Sequence, residues 1–158
     1  MSDKVPMTRE GYESLIQEVK RLKEVERPKI VKEIGIAREH GDLSENAEYH
    51  AAKEKQSLIE GRIKDLESKL AGAELLDTSQ AKPGVVVFGS TVCLEDEDTG
   101  DKVTYRIVGA DEADIKQKTI SINSPIARAL IAHKVGDSVE VVVPSGTKEF
   151  TILDVILK

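Results

Sequence analysis

From Thr8 to about Asp77 the apolar positions recur with a helical period. In the second half of this stretch Tyr49, Ala52, Gln56, Ile59, Ile63, Leu66, Leu70 and Ala73 alternate spacings of three and four, which places them in one seam of an underwound helix. Gln56 alone breaks the apolar stripe. Tyr12, Leu15, Val19 and Leu22 form a matching stripe, which resumes one residue late after Pro28, at Ile30, Ile34 and Ala37. The shift predicts a local break near Pro28, because proline suits a helix start and disrupts a helix interior.

The two stripes can be tested for pairing. In an antiparallel hairpin the numbers of facing residues sum to a constant, and Tyr12 with Ala73, Leu15 with Leu70, Val19 with Leu66 and Leu22 with Ile63 do so. The turn falls near Asp42, in His40-Gly41-Asp42-Leu43-Ser44-Glu45. Gly41 can end the first helix in a left-handed conformation, and either Asp42 or Ser44 can cap the second. An antiparallel coiled coil is predicted, with arms of roughly 30 residues and about 45 Å at 1.5 Å per residue.

After Ala71-Gly72-Ala73 and the polar Asp77–Gly84 segment the texture changes to short β-rich runs broken by turns. Candidate strands are Val85–Phe88, Thr91–Glu95, Lys102–Val108, Thr119–Ile122, Ser138–Val143 and Glu149–Ile156, with one short helix at about Ile126–Ala132. The fold class is α+β: a hairpin domain over 1–76, a linker over 77–84, and an antiparallel sheet domain with a small helix over 85–158.

Charged residues make up 33% of the 158 and aromatics 3%, so charged surface is plentiful and a large aromatic-lined pocket is not expected. The net charge of −6 argues against autonomous binding to a nucleic-acid backbone, so any nucleic acid must be met through a partner. No apolar run is long enough to span a bilayer, and a cytoplasmic location with no membrane partner is expected. Cys93 is the single cysteine, so no internal disulfide and no cysteine zinc site can form; nor does it have a neighbouring His to make it a nucleophile.

Asp42 and Glu45 are the sharpest candidates for chemistry. Three residues apart at the turn, they fit a capping box, and equally a pair of carboxylates projecting to one side. A long arm is a poor reason to display a cap, which favours the second reading; Glu48 adds a third acid. Two or three carboxylates make half a Mg2+ site, completed if another protein supplies the remaining ligands and the phosphate. Near the tip Arg38, Lys53 and Lys55 could meet a phosphate, although coiled-coil flanks are charged in any case; Arg38 and Lys53 are the candidates. His40, His50 and His133 lack partners at ligand spacing, and Asp111-Glu112-Ala113-Asp114 reads as a solvated loop.

Over its whole length the chain resembles the Gre family of bacterial transcript-cleavage factors. The residues that carry the resemblance are Ala37-Arg38-Glu39-His40-Gly41-Asp42-Leu43-Ser44-Glu45-Asn46-Ala47-Glu48-Tyr49, Glu60-Gly61-Arg62-Ile63, Tyr105-Arg106-Ile107-Val108-Gly109, Asp111-Glu112-Ala113-Asp114 and Ile122-Asn123-Ser124-Pro125-Ile126-Ala127-Arg128-Ala129-Leu130. The resemblance implies a coiled-coil N-terminal domain, a C-terminal FKBP-like domain, and binding near the secondary channel of RNA polymerase. It further implies that the factor, a monomer and not itself an enzyme, stimulates the polymerase to cleave its backtracked transcript. Asp42 and Glu45 would help hold a Mg2+ of the polymerase active site, with no cofactor of the chain's own. Arg38 and Lys53 would face the nascent RNA 3′ end, Ser124, Pro125 and Ile126 would dock on the polymerase, and DNA would be met only within the transcription complex. One departure is Ser44, where the family often has lysine. The rival readings are an inhibitory channel-binding homologue, an FKBP-like isomerase or chaperone, and a coiled-coil adaptor without chemistry.

Overall fold

The structure is a computed structural model that describes residues 4–41, 46–76 and 81–157. A short strand, β1 (Val5–Met7), precedes helix α1 (Arg9–Arg21), and α1 runs through one π-helical turn (Leu22–Glu26) into α2 (Arg27–Arg38). In that turn the amide of Arg27 donates to the carbonyl of Leu22, five residues back where an α-helix reaches four. Pro28 stands in the first turn of α2. It has no N–H to offer the preceding turn, and the widened turn absorbs one extra residue instead of breaking the helix. The break expected near Pro28 is therefore a π-turn, and the late resumption of the stripe is the residue it stores.

The second arm is one uninterrupted helix, α3 (Ala47–Ala71). Leu22, Ile30, Ile34, Ala52, Ile59, Ile63 and Leu66 form a single buried cluster, with Leu15, Val19 and Tyr49 packed against it. This is the seam the spacing predicts. Ion pairs flank it from arm to arm: Arg27 with Glu60 at 2.8 Å, Lys23 with Glu67 at 2.9 Å and Arg62 with Glu18 at 3.2 Å.

The chain divides into two compact units, one spanning Glu10–Ala73 and the other built from Lys4–Arg9 together with the residues from Glu74 onward. The segment Lys4–Arg9, assigned from sequence to the hairpin domain, thus packs with the sheet unit. There β1 pairs with β2 (Ala73–Leu75) in a two-stranded sheet.

The main sheet contains β3 (Ser90–Asp96), β4 (Lys102–Val108), β5 (Thr119–Ser121), β6 (Ser138–Val143) and β7 (Gly146–Leu157), in the order β5-β4-β3-β7-β6. Its neighbours are antiparallel except at one edge, where β4 and β5 run parallel, Ile107 opposite Ile120. The sheet is mixed, because the segment between β4 and β5 crosses over instead of turning back. In β3, Val92 and Leu94 are buried and Cys93 between them is half-buried, as alternation requires. The short helix α4 (Pro125–Leu130) places Ala127 and Leu130 in a core with Val86, Leu94, Ile107 and Ile152. Val85–Phe88, expected as a strand, is not one. Val86 is fully buried, yet its backbone bonds only to the segment after α4, donating to the His133 carbonyl and accepting from the Ala132 amide. The apolar run reports burial and not an extended ladder.

Candidate functional site

The hairpin tip is built from the last turn of α2 and the first of α3. The amides of Glu39 and His40 close the end of α2 on the carbonyls of Ile36 and Ala37, each at 3.1 Å, and Gly41 follows at φ +114°. Only glycine takes that backbone without strain. Asp42, Ser44 and Glu45 lie outside the described residues.

The cap of α3 is Asn46. Its Oδ1 accepts the Tyr49 N–H at 3.0 Å, and its Nδ2 donates to the carbonyl of Ala37 on the other arm. The capping role expected of Asp42 or Ser44 therefore belongs to Asn46, which also ties the two arms together. Sequence reading missed it, although an Asn immediately before a helix is a cap signal in its own right; the candidates Asp42 and Ser44 lie four and two residues too early.

Around this root the charged side chains are exposed. The Arg38 guanidinium carbon lies 6.0 Å from the centre of the Tyr49 ring, a cation–π spacing, and Lys53 donates to the Gln56 Oε1 at 3.2 Å. Lys55 pairs with Glu33 at 3.9 Å, and His40 stands 3.9 Å from Glu48. Arg38 and Lys53 therefore have local partners that leave their heads in water, free to exchange those partners for a phosphate.

In the sheet unit Ser124 caps α4, its hydroxyl accepting the Ala127 N–H at 3.2 Å. Pro125, in the first turn, is exposed; Ile126 is half-buried and packs against the core. Of these three, Pro125 presents itself to solvent, while the other two have visible structural work.

Glu112 was also missed. Its Oε2 accepts the Gly109 N–H at 2.8 Å and the Thr8 N–H at 3.0 Å, and its Oε1 accepts the Thr8 hydroxyl. It is a bound side chain within a loop that reads as solvated. No local signal could have found its tie to Thr8, since the two are 104 residues apart in sequence.

A family model described as "Transcription elongation factor, N-terminal" matches residues 5–75, and one described as "Transcription elongation factor, GreA/GreB, C-term" matches residues 80–156. The chain belongs to the GreA/GreB family of transcription elongation factors. Its similarity to individual GreA/GreB members extends over nearly their full length. It is 61% identical over 152 residues to transcription elongation factor GreA of Anaeromyxobacter sp. (strain K), covering 96% of this chain and 92% of the relative. It is 59% identical over 155 residues to the GreA of Pelobacter propionicus, covering 98% of each. Among solved structures, GreA factor homolog 1 of Thermus thermophilus is 32% identical, covering 97% of this chain and 99% of that one, with a TM-score of 0.43. The tip and the α4 segment thus belong to a GreA/GreB elongation factor.

Proposed function

We propose that this chain binds bacterial RNA polymerase at the secondary channel and stimulates the polymerase to cleave the 3′ end of backtracked RNA. The observation that carries the reading is the acid pair between the two helical arms of a chain that both GreA/GreB family models match. Because Asn46 caps α3, the hairpin does not need Asp42 or Glu45 for that task.

The chain is an activator and not a nuclease. Asp42 and Glu45 are hard oxygen donors of the kind Mg2+ takes, but two carboxylates are too few to fix the ion, so they would complete a site whose other ligands are the polymerase's. Bound there, the metal makes water a better nucleophile and steadies the leaving oxygen of a phosphodiester. Arg38 and Lys53 would hold the RNA backbone, and Pro125, with Ser124 and Ile126 shaping its surroundings, would dock on the polymerase. The RNA 3′ end and any DNA are met inside the transcription complex, in the cytoplasm, by a monomer.

The test is the double variant Asp42→Asn, Glu45→Gln in a cleavage assay on backtracked complexes. Amides keep size and hydrogen bonding but are poor ligands, so stimulated cleavage should fall by orders of magnitude, on the order of a hundredfold or more, while the variant still competes with wild type for polymerase. Full stimulation by the variant would remove the acids from the mechanism. RNA cleavage by the purified protein without polymerase would show it to be a nuclease.

A further inference from the structure

The turn that follows β4 carries a contact for which the proposed function has no use so far. Its backbone closes on itself, the Glu112 amide donating to the Gly109 carbonyl at 3.0 Å. The Glu112 carboxylate then folds back to collect three donors: the Gly109 amide, the Thr8 amide and the Thr8 hydroxyl. Gly109 makes the approach possible. A Cβ there would sit 2.7 Å from Glu112 Oε2 and would overlap the carbonyl oxygen of Pro6. Thr8 is itself 7% exposed, and the residue after it begins α1.

All of these residues belong to the sheet unit. The first helical arm therefore starts directly after a residue whose amide and hydroxyl are both bound by the Glu112 carboxylate. On the reading above, the sheet unit docks and the hairpin tip assists the chemistry, so the root of the arm is a place where a small loss of order would be felt at the reacting phosphate.

We propose that Glu112 is a positioning residue for stimulated cleavage, fixing the Thr8 backbone from which the first arm departs; this rests on the cleavage function proposed above. What the contact needs is acceptors in the right places, and a negative charge is not required. Glutamine can set its carbonyl oxygen where Oε2 lies, accepting both amides, and turn its NH2 toward the Thr8 hydroxyl, which then accepts. Alanine offers neither.

The experiment titrates full-length wild type, Glu112→Ala, Glu112→Gln and Thr8→Val into backtracked transcription complexes. It reads the half-saturating concentration and the maximal cleavage rate separately, alongside hydrogen exchange at the Thr8 and Gly109 amides. Glu112→Ala should lower the maximal rate by about tenfold or more with little change in half-saturating concentration. Its two amides should lose protection. Glu112→Gln should match wild type in rate and exchange, and Thr8→Val, which loses one of the three donors, should fall between. A wild-type maximal rate in Glu112→Ala would overturn the proposal, as would a defect confined to the half-saturating concentration, or a glutamine variant as poor as alanine. Wild type that leaves cleavage unchanged would instead overturn the function on which the proposal rests, with the amide protection still visible.

Discussion

Arg27 grips Glu60 across the hairpin with a two-pronged contact, its Nε and Nη2 each 2.8 Å from a different carboxylate oxygen. The pair stands where the π-turn passes into α2, at the point where the seam changes phase. Arg27 is held above its ordinary protonation range and Glu60 below its own, chiefly by this mutual hydrogen bond. A carboxyl depressed in the folded state contributes stability that is present above its unfolded pKa and fades as pH falls through the folded value. Glu60→Gln should therefore lower the melting temperature at neutral pH and match wild type in strong acid. The effect is small, because water screens an exposed pair. Arg27→Lys should not substitute for arginine, since an ammonium cannot span both oxygens. Thermal melts across pH check both.

Glu149, raised beside a depressed Glu97, predicts the opposite slope. Glu97 is held below the usual carboxylate range, first by the Ser138 hydroxyl at 2.5 Å, then by the Thr151 hydroxyl at 2.9 Å and by Glu149. Glu149 is pushed up, first by its hydrogen bond to Glu97 and then by the charge of that neighbour. A raised carboxyl contributes stability that is full below the unfolded pKa and is lost as pH rises through the folded one. Glu149→Gln keeps an N–H to donate and removes the repulsion, so it should raise the melting temperature at neutral pH. As pH falls through the folded pKa of Glu149 and the wild-type carboxyl gains its proton, the two proteins should converge.

Ala132 lies just beyond α4 with φ +73°, a conformation that costs any residue with a Cβ. It is the position after a helix where glycine is the usual choice. Its side chain is exposed, so no packing is lost by removing it. Ala132→Gly should stabilise the protein by about 0.5–1 kcal/mol, the relief of strain exceeding the greater freedom of glycine in the unfolded chain. Chemical denaturation measures it, and affinity for polymerase should not change.

Asn46 has two roles that can be separated. Aspartate still accepts from the Tyr49 amide but cannot donate to the Ala37 carbonyl; alanine can do neither. Asn46→Ala should cost about 1 kcal/mol or more of hairpin stability. Asn46→Asp should cost less, and the part it does cost belongs to the tie between the arms. Helical circular dichroism during denaturation orders the three proteins.

What the sequence made legible follows from the range over which each interaction acts. The seam is periodic and local, so Leu22, Ile30, Ile63 and Leu66 announced their burial and their pairing. The phase shift at Pro28 was visible, but spacing cannot tell a broken helix from one that stores a residue; that depends on the Arg27 amide finding the Leu22 carbonyl. The tip acids were plain as residues. The cap was placed at Asp42 or Ser44 instead of Asn46 because a cap is defined by where the helix starts, at Ala47. Val85–Phe88 looked like a strand because burial and β-pairing leave the same apolar signature. The tie of Glu112 to Thr8 was beyond reach, because the two are far apart in sequence and no local pattern encodes their meeting.

The attachment of Val5–Thr8 to residues so far downstream orders events in time. A chain made from its N-terminus produces this strand first, yet its pairing partner at Ala73–Leu75 and its anchor at Glu112 emerge much later. The hairpin between them closes around a single turn and needs nothing beyond Ala71, so it is free to zip while the rest is still being synthesised. Val5–Met7 must wait for Ala73–Leu75 before it can pair, and Thr8 waits longer still, for Glu112. The root of the first arm can therefore close only after the seam above it has had the chance to form.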